Sequence, residues 1–136
     1  MIRKDFIEAE IQKLAQILAK VLRFKNDGNV DDAIDVAYDT LADSFDLSEE
    51  TLYNTSVEDF QQELKNRKYS AEKLNMLSQF LFESVYPFQE TDETFAILHK
   101  TAAVINLLET EYHQQSFENI SRREMIDKFL NSRQYE

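Results

Sequence analysis

The chain of 136 residues has no cysteine and no tryptophan, a single glycine and a single proline. Without cysteine there is no disulfide, no thiolate nucleophile and no thiolate-bound zinc. A lone glycine, Gly28, excludes a glycine-rich phosphate loop. With only Gly28 and Pro87, the chain lacks the turn chemistry that tight hairpins between short strands require. No apolar run approaches the roughly 18–20 residues of a membrane span. The opening MIRKDFIEAEIQK turns charged too early to hold the apolar core of a signal peptide. These absences predict a cytoplasmic protein.

What is present is a large apolar content and an uneven charge. A hydrophobic fraction of 43% with ten Phe and six Tyr is ample for the core of one domain spanning 1–136. The formal net charge of −11 argues against nucleic acid or an anionic membrane as partner. Residues 1–26 carry six basic and three acidic groups, whereas residues 27–63 carry twelve acidic groups and no Lys or Arg. Residues 64–136 are nearly balanced, with nine basic and eleven acidic. The acidity is regional.

Its centre is NVDDAIDVAYDTLADSF, residues 29–45. At about 100° per residue, Val30, Ala33, Ile34, Ala37, Tyr38, Leu41 and Phe45 fall on one side. Asp31, Asp32, Asp35, Asp39 and Asp43 fall on the other, with Val36 a stray among them. This pattern predicts an amphipathic helix. Gly28 supplies a left-handed turn before it and Asn29 a capping oxygen. Asp31 and Asp32 suit the positive end of the helix dipole. Asp35, Asp39 and Asp43 stack like charges at i, i+4, each pair costing about 0.2–0.5 kcal/mol, so the helix must be held by its apolar side.

The same reading extends along the chain. A first helix is predicted from Phe6 to Phe24, opened by an Asp5–Glu8 capping box. Its stripe of Ile7, Ile11, Leu14, Leu18 and Val21 is widened by Phe6, Ala15, Ile17, Leu22 and Phe24, enough to touch more than one neighbour. Lys13, Lys20 and Arg23 lie on its polar side. Ser48 and Ser56 open two short helices within 48–66, and Ser70 opens a longer one that Pro87 stops near Tyr86. The next helix is predicted from Asp92 to Gln115. Ser121 and Glu124 form a second capping box, with Ile120 and Met125 as its hydrophobic staple. They place the last helix at 122–131, with fraying residues beyond.

The predicted fold is all-α: a compact helical domain of two long antiparallel hairpins, 5–45 and 70–115, with short helices between them and a C-terminal helix. The run GNVDDAIDVAYDTL resembles the second helix of a tetratricopeptide repeat. Gly28 lies at the turn, Ala33 stands where the paired helices cross, and Ala37 stands where an aromatic is common. Ile17, Val21 and Phe24 depart from the Trp, Gly and Tyr usual in the first helix of that repeat. Over most of its length the chain also resembles a family of small bacterial all-helical proteins, through the opening MIRKDFIEAEIQKLAQILAKVL and the G-x-x-x-x-A-I helix that follows. That resemblance implies a helical fold and a bacterial source, and carries no catalytic residues with it.

Chemical motifs are few. Asp27, Asn29 and Asp31 have the spacing of the first calcium ligands of an EF-hand, but Asp32 stands at the obligatory glycine and Tyr38 at the terminal glutamate. Glu109 and His113 lie at i, i+4, without the Glu-x-x-His spacing and further carboxylates of a di-metal bundle. The serines sit mostly at predicted caps, away from any base that would activate them. No catalytic residue, metal site or cofactor is therefore expected.

The leading expectation is a non-enzymatic protein-interaction or adaptor module. Its docking face would be Asp31, Asp32, Asp35, Asp39 and Asp43 and its partner a basic protein surface, with self-association into a homodimer a further option. A solvated face that keeps the protein soluble is the plainer reading of the same aspartates. The alternatives are a small metal-binding bundle using Glu109 and His113, or a ligand sensor with a pocket among Phe80 and Phe95.

Overall fold

A computed structural model describes residues 2–132, with side chains from Phe6 onward. The described residues form seven helices: α1 Ile2–Asn26, α2 Val30–Phe45, α3 Glu49–Asn54, α4 Val57–Arg67, α5 Ala71–Val85, α6 Asp92–Thr110 and α7 Phe117–Ser132. No strand occurs among the described residues.

Hydroxyl caps set most of the helix starts. The side chains of Ser48, Ser56, Ser70 and Thr91 each accept the backbone N–H three residues on, at 3.1–3.2 Å. Each such cap is worth about 1 kcal/mol. Gly28 turns the chain between α1 and α2 at φ +84, a left-handed conformation that costs glycine little. Asn29 holds the capping position of α2 but its side chain makes no capping hydrogen bond. Its own N–H closes onto the carbonyl of Phe24 at 2.7 Å instead.

α5 is the axis of the molecule. It packs against α6, α2 and α1, while α3, α4 and α7 pack against α6. Leu77, Phe80 and Leu81 are wholly sealed, and each contributes about 2 kcal/mol through burial. Glu10 meets Lys73 near the start of α5 at 3.1 Å and Lys25 meets Glu83 near its end at 2.7 Å, so α1 and α5 run side by side in the same sense. One continuous apolar cluster extends from Leu14 in α1 to Ile126 in α7.

Three boundaries differ by four or five residues from the sequence expectation. α1 begins at Ile2 rather than Phe6; the Asp5 side chain, and with it the expected Asp5–Glu8 capping box, lies outside the described residues, as do residues 133–136. α6 ends at Thr110 rather than Gln115, and Tyr112, beyond it, donates its hydroxyl to the carbonyl of Tyr69 at 2.7 Å. α7 begins at Phe117, where Ser116 accepts the N–H of Asn119 at 3.1 Å. Ser121 and Glu124 are therefore exposed residues of a helix interior, and Ile120 and Met125 stand 38% and 37% exposed with no staple between them. Ser116 outcompetes Ser121 because it also brings Asn119 under cover, where its amide donates to Asn75 Oδ1 at 2.9 Å.

Candidate functional site

The residues to follow are the five aspartates of α2. The helix buries Ala33, Ala37, Thr40, Leu41 and Phe45. Val36, which the helical wheel sets among the carboxylates, is half-buried against the core, and its carbonyl accepts the Thr40 hydroxyl at 2.8 Å. Asp31, Asp32, Asp35, Asp39 and Asp43 are all exposed. None of them makes an ion pair with a described residue. The cations Lys13, Lys20 and Arg23 on α1 are exposed as well and equally without an ion pair. They do not neutralise the aspartates by direct contact.

The carboxylate row continues beyond α2. A shallow depression of about 590 Å³ lies between α2 and α3, lined by Asp35, Tyr38, Asp39, Ala42 and the Ser48–Glu50 turn. Across Ser48 a second open cleft, of about 470 Å³, brings Asp46, Asp59 and Glu63 around the apolar floor of Leu47 and Phe60. Glu49, Glu50, Asp59 and Glu63 were not singled out by helical periodicity. The signal that reaches them is the absence of any Lys or Arg from residue 27 to residue 63.

Two polar fixtures hold this side in shape. Tyr53 donates its hydroxyl to that of Tyr38 at 3.0 Å. Burial first, with the negative charge of Glu49 acting in the same direction, pushes the Tyr38 hydroxyl well above the ordinary tyrosine range, so it stays a neutral structural group. Arg67 closes the far end. It donates to the carbonyls of Phe45 and Asp46, to Glu63 at 2.8 Å and to the Tyr69 hydroxyl at 2.8 Å. Its burial disfavours the charge, but the bonds to Glu63 and Tyr69 outweigh that and raise its pKa.

The other sequence candidates are not brought together. Glu109 is held by Arg123 at 2.7 Å. His113 lies past the end of α6, in a left-handed conformation at φ 55, so the two no longer share a helix face. Among the described residues no group of three or more His, Asp or Glu is placed to hold a metal ion. Phe80 is fully buried with its ring 6.2 Å from that of Phe45. Phe95 stacks on Phe129 at 5.3 Å. Both are core contacts. No helix among the described residues is long and apolar enough to cross a membrane.

Compared with protein-family models, curated proteins and solved structures, the chain finds no match in any of the three.

Proposed function

We propose that this protein is a non-enzymatic interaction module that presents the outer side of α2 to a basic protein partner. The observation that carries the reading is the state of Asp31, Asp32, Asp35, Asp39 and Asp43: exposed and without an ion pair among the described residues. Like charges at i, i+4 destabilise a helix, and Asp43 sits near the negative end of the dipole. Carboxylates held there against local stability produce a field that draws a cationic surface in and sets its orientation. The depressions beside α3 extend that field over a surface wide enough for a protein segment.

The fold reading that accompanies this function is two long antiparallel hairpins, α1–α2 and α5–α6, in a tetratricopeptide-like arrangement. The short turn at Gly28 and the shared sense of α1 and α5 support it. A bacterial, cytoplasmic protein is the setting that goes with it, on the resemblance of the opening residues and the lack of cysteine.

The test compares two sets of neutralised carboxylates. One variant carries Asn at Asp31, Asp35, Asp39 and Asp43; the control carries Glu118→Gln, Glu124→Gln and Asp127→Asn on the exposed side of α7. Binding of a fluorescent Lys/Arg-rich peptide is measured by anisotropy at low and high salt. The α2 variant should lose about tenfold in affinity and most of its salt dependence, and the control less than about twofold. Equal losses would reduce the α2 face to ordinary solvated surface.

A further inference from the structure

α1 has more apolar surface than its neighbours cover. Leu14 and Val21 are sealed in the core, whereas Leu22 keeps 43% of its surface in solvent. Ala15 and Ala19 are exposed. On a helix these three fall within one sector of about 60°. Arg23, Lys20 and Lys13 follow in the adjoining sector, all exposed, with Lys20 resting over the Phe24 ring at 5.5 Å. An apolar strip bordered by unpaired cations is the make-up of a contact surface rather than of a solvated edge.

Its complement is on the same chain. Lys13 to Arg23 spans ten residues, about 15 Å of helix, and Asp32 to Asp43 spans eleven, about 16 Å. Most other cations among the described residues are already engaged: Lys25 with Glu83, Lys65 with Glu111, Arg67 with Glu63, Lys73 with Glu10 and Arg123 with Glu109. The unpaired bases of α1 and the unpaired acids of α2 thus form two rows of matching length and opposite sign. A chain that carries both rows has the two halves of an isologous contact, in which each copy supplies what the other lacks.

We infer that the basic partner of the α2 face is a second copy of this chain. Two copies meet about a twofold axis, the α1 cations of each lying on the α2 carboxylates of the other. Ala15, Ala19 and Leu22 close the apolar centre. The formal net charge of −11 makes every approach without such local complementarity repulsive, which favours this orientation over others. The inference rests on the docking reading of the α2 face and names its partner.

Sedimentation velocity of the full chain tests it, at about 0.1 M and about 1 M salt, where screening lengths are about 10 Å and 3 Å. The wild type should dimerise at the lower salt, with a dissociation constant at least about tenfold weaker at the higher. K13E/K20E/R23E and D35K/D39K/D43K should each be monomeric, and their equimolar mixture should restore a dimer, because reversing both rows restores their complementarity. All six substituted side chains are exposed, and unchanged helical circular dichroism confirms that each variant folds. A wild type that stays monomeric at the lower salt, or a dimer that survives either triple reversal, overturns the inference. If the chain is monomeric while the Lys/Arg-rich peptide still binds through the α2 aspartates, the second copy is refuted and the docking reading stands. If that peptide is also indifferent to the aspartates, both fall.

Discussion

Lys25 and Glu83 stand 58 residues apart in the chain and meet at 2.7 Å. The Lys25 ammonium gives its remaining hydrogens to the carbonyls of Glu83 at 2.8 Å and Tyr86 at 2.7 Å, so all three of its donors are used. One cation at the end of α1 thereby closes the last carbonyls of α5 and complements the negative end of its dipole. Both side chains are only 12% exposed. The contact fixes where α1 lies along α5, and with it where the α1–α2 pair presents its charged side.

Lys25→Met should lower stability by about 2 kcal/mol, because it strands the Glu83 carboxylate and two carbonyls in a largely covered place. Urea unfolding measures it. Removing both charges, in Lys25→Met with Glu83→Leu, should recover part of the loss. A single-mutant cost below about 0.5 kcal/mol would show that the pair holds nothing.

The start of α7 separates two serines that look alike in sequence. Ser116→Ala should cost about 1 kcal/mol by removing the cap. Ser121→Ala, inside the helix and exposed, should be neutral or stabilise by a few tenths of a kcal/mol, since alanine is the better helix former. Thermal melts of the two variants side by side decide the matter, and a larger loss at Ser121 would refute the observed start.

Asp43→Lys should raise stability by about 0.5 kcal/mol, by relieving repulsion from Asp39 and by placing a cation near the end of α2. The gain should shrink as salt screens it. Denaturant titrations at low and high salt report it, and the same substitution should weaken any contact made through the α2 face. Stability improving while binding declines is the signature of carboxylates kept for a partner.

Lys100 is 2% exposed and has no ion pair or hydrogen bond with a described residue. No side-chain nitrogen or oxygen among the described residues is both sealed and unbonded, so its ammonium reaches water at the tip while its methylenes are covered. Burial lowers its pKa from the usual 10.5. The unfolded chain then binds the proton more tightly, so the group's penalty is full at neutral pH and is relieved as pH rises through the lowered value toward 10.5. Lys100→Met should therefore stabilise the protein by about 1 kcal/mol at pH 7, and the difference from wild type should close in alkali. A difference that does not change with pH would remove this explanation.

Much of the helix layout can be read from the residues themselves. The hydroxyls of Ser48, Ser56 and Ser70 announce their helices because a cap is a local interaction of three residues. The two faces of α2 are legible because burial and exposure follow the period of the helix. The errors arise where distant residues decide. Ser121 and Glu124 satisfy a local rule, but α7 starts earlier because Ser116 presents Asn119 to Asn75, 44 positions away in the chain. Glu109 and His113 satisfy the i, i+4 rule on paper, yet α6 ends between them once Tyr112 reaches back to Tyr69. Of the site, the aspartate row was evident from periodicity. The depressions that join it to Glu49, Asp59 and Glu63 depend on how α3 and α4 fold against α6, which no local pattern encodes.

The Asn75–Asn119 amide pair has a bearing on the order in which the molecule opens. α7 seals only one apolar side chain, Ile126. It is also held by that amide bond, the Arg123–Glu109 pair at 2.7 Å, the Phe95 ring stacked on Phe129 with the Phe88 ring tilted against it, and Leu130 half-buried against the core. It seals far fewer side chains than α5 and α6 do, so its amides should exchange with solvent deuterium well before theirs. Each such excursion bares Asn75, Glu109 and the Phe88 and Phe95 rings together. The last helix is a latch on the core, joined to it through one sealed side chain.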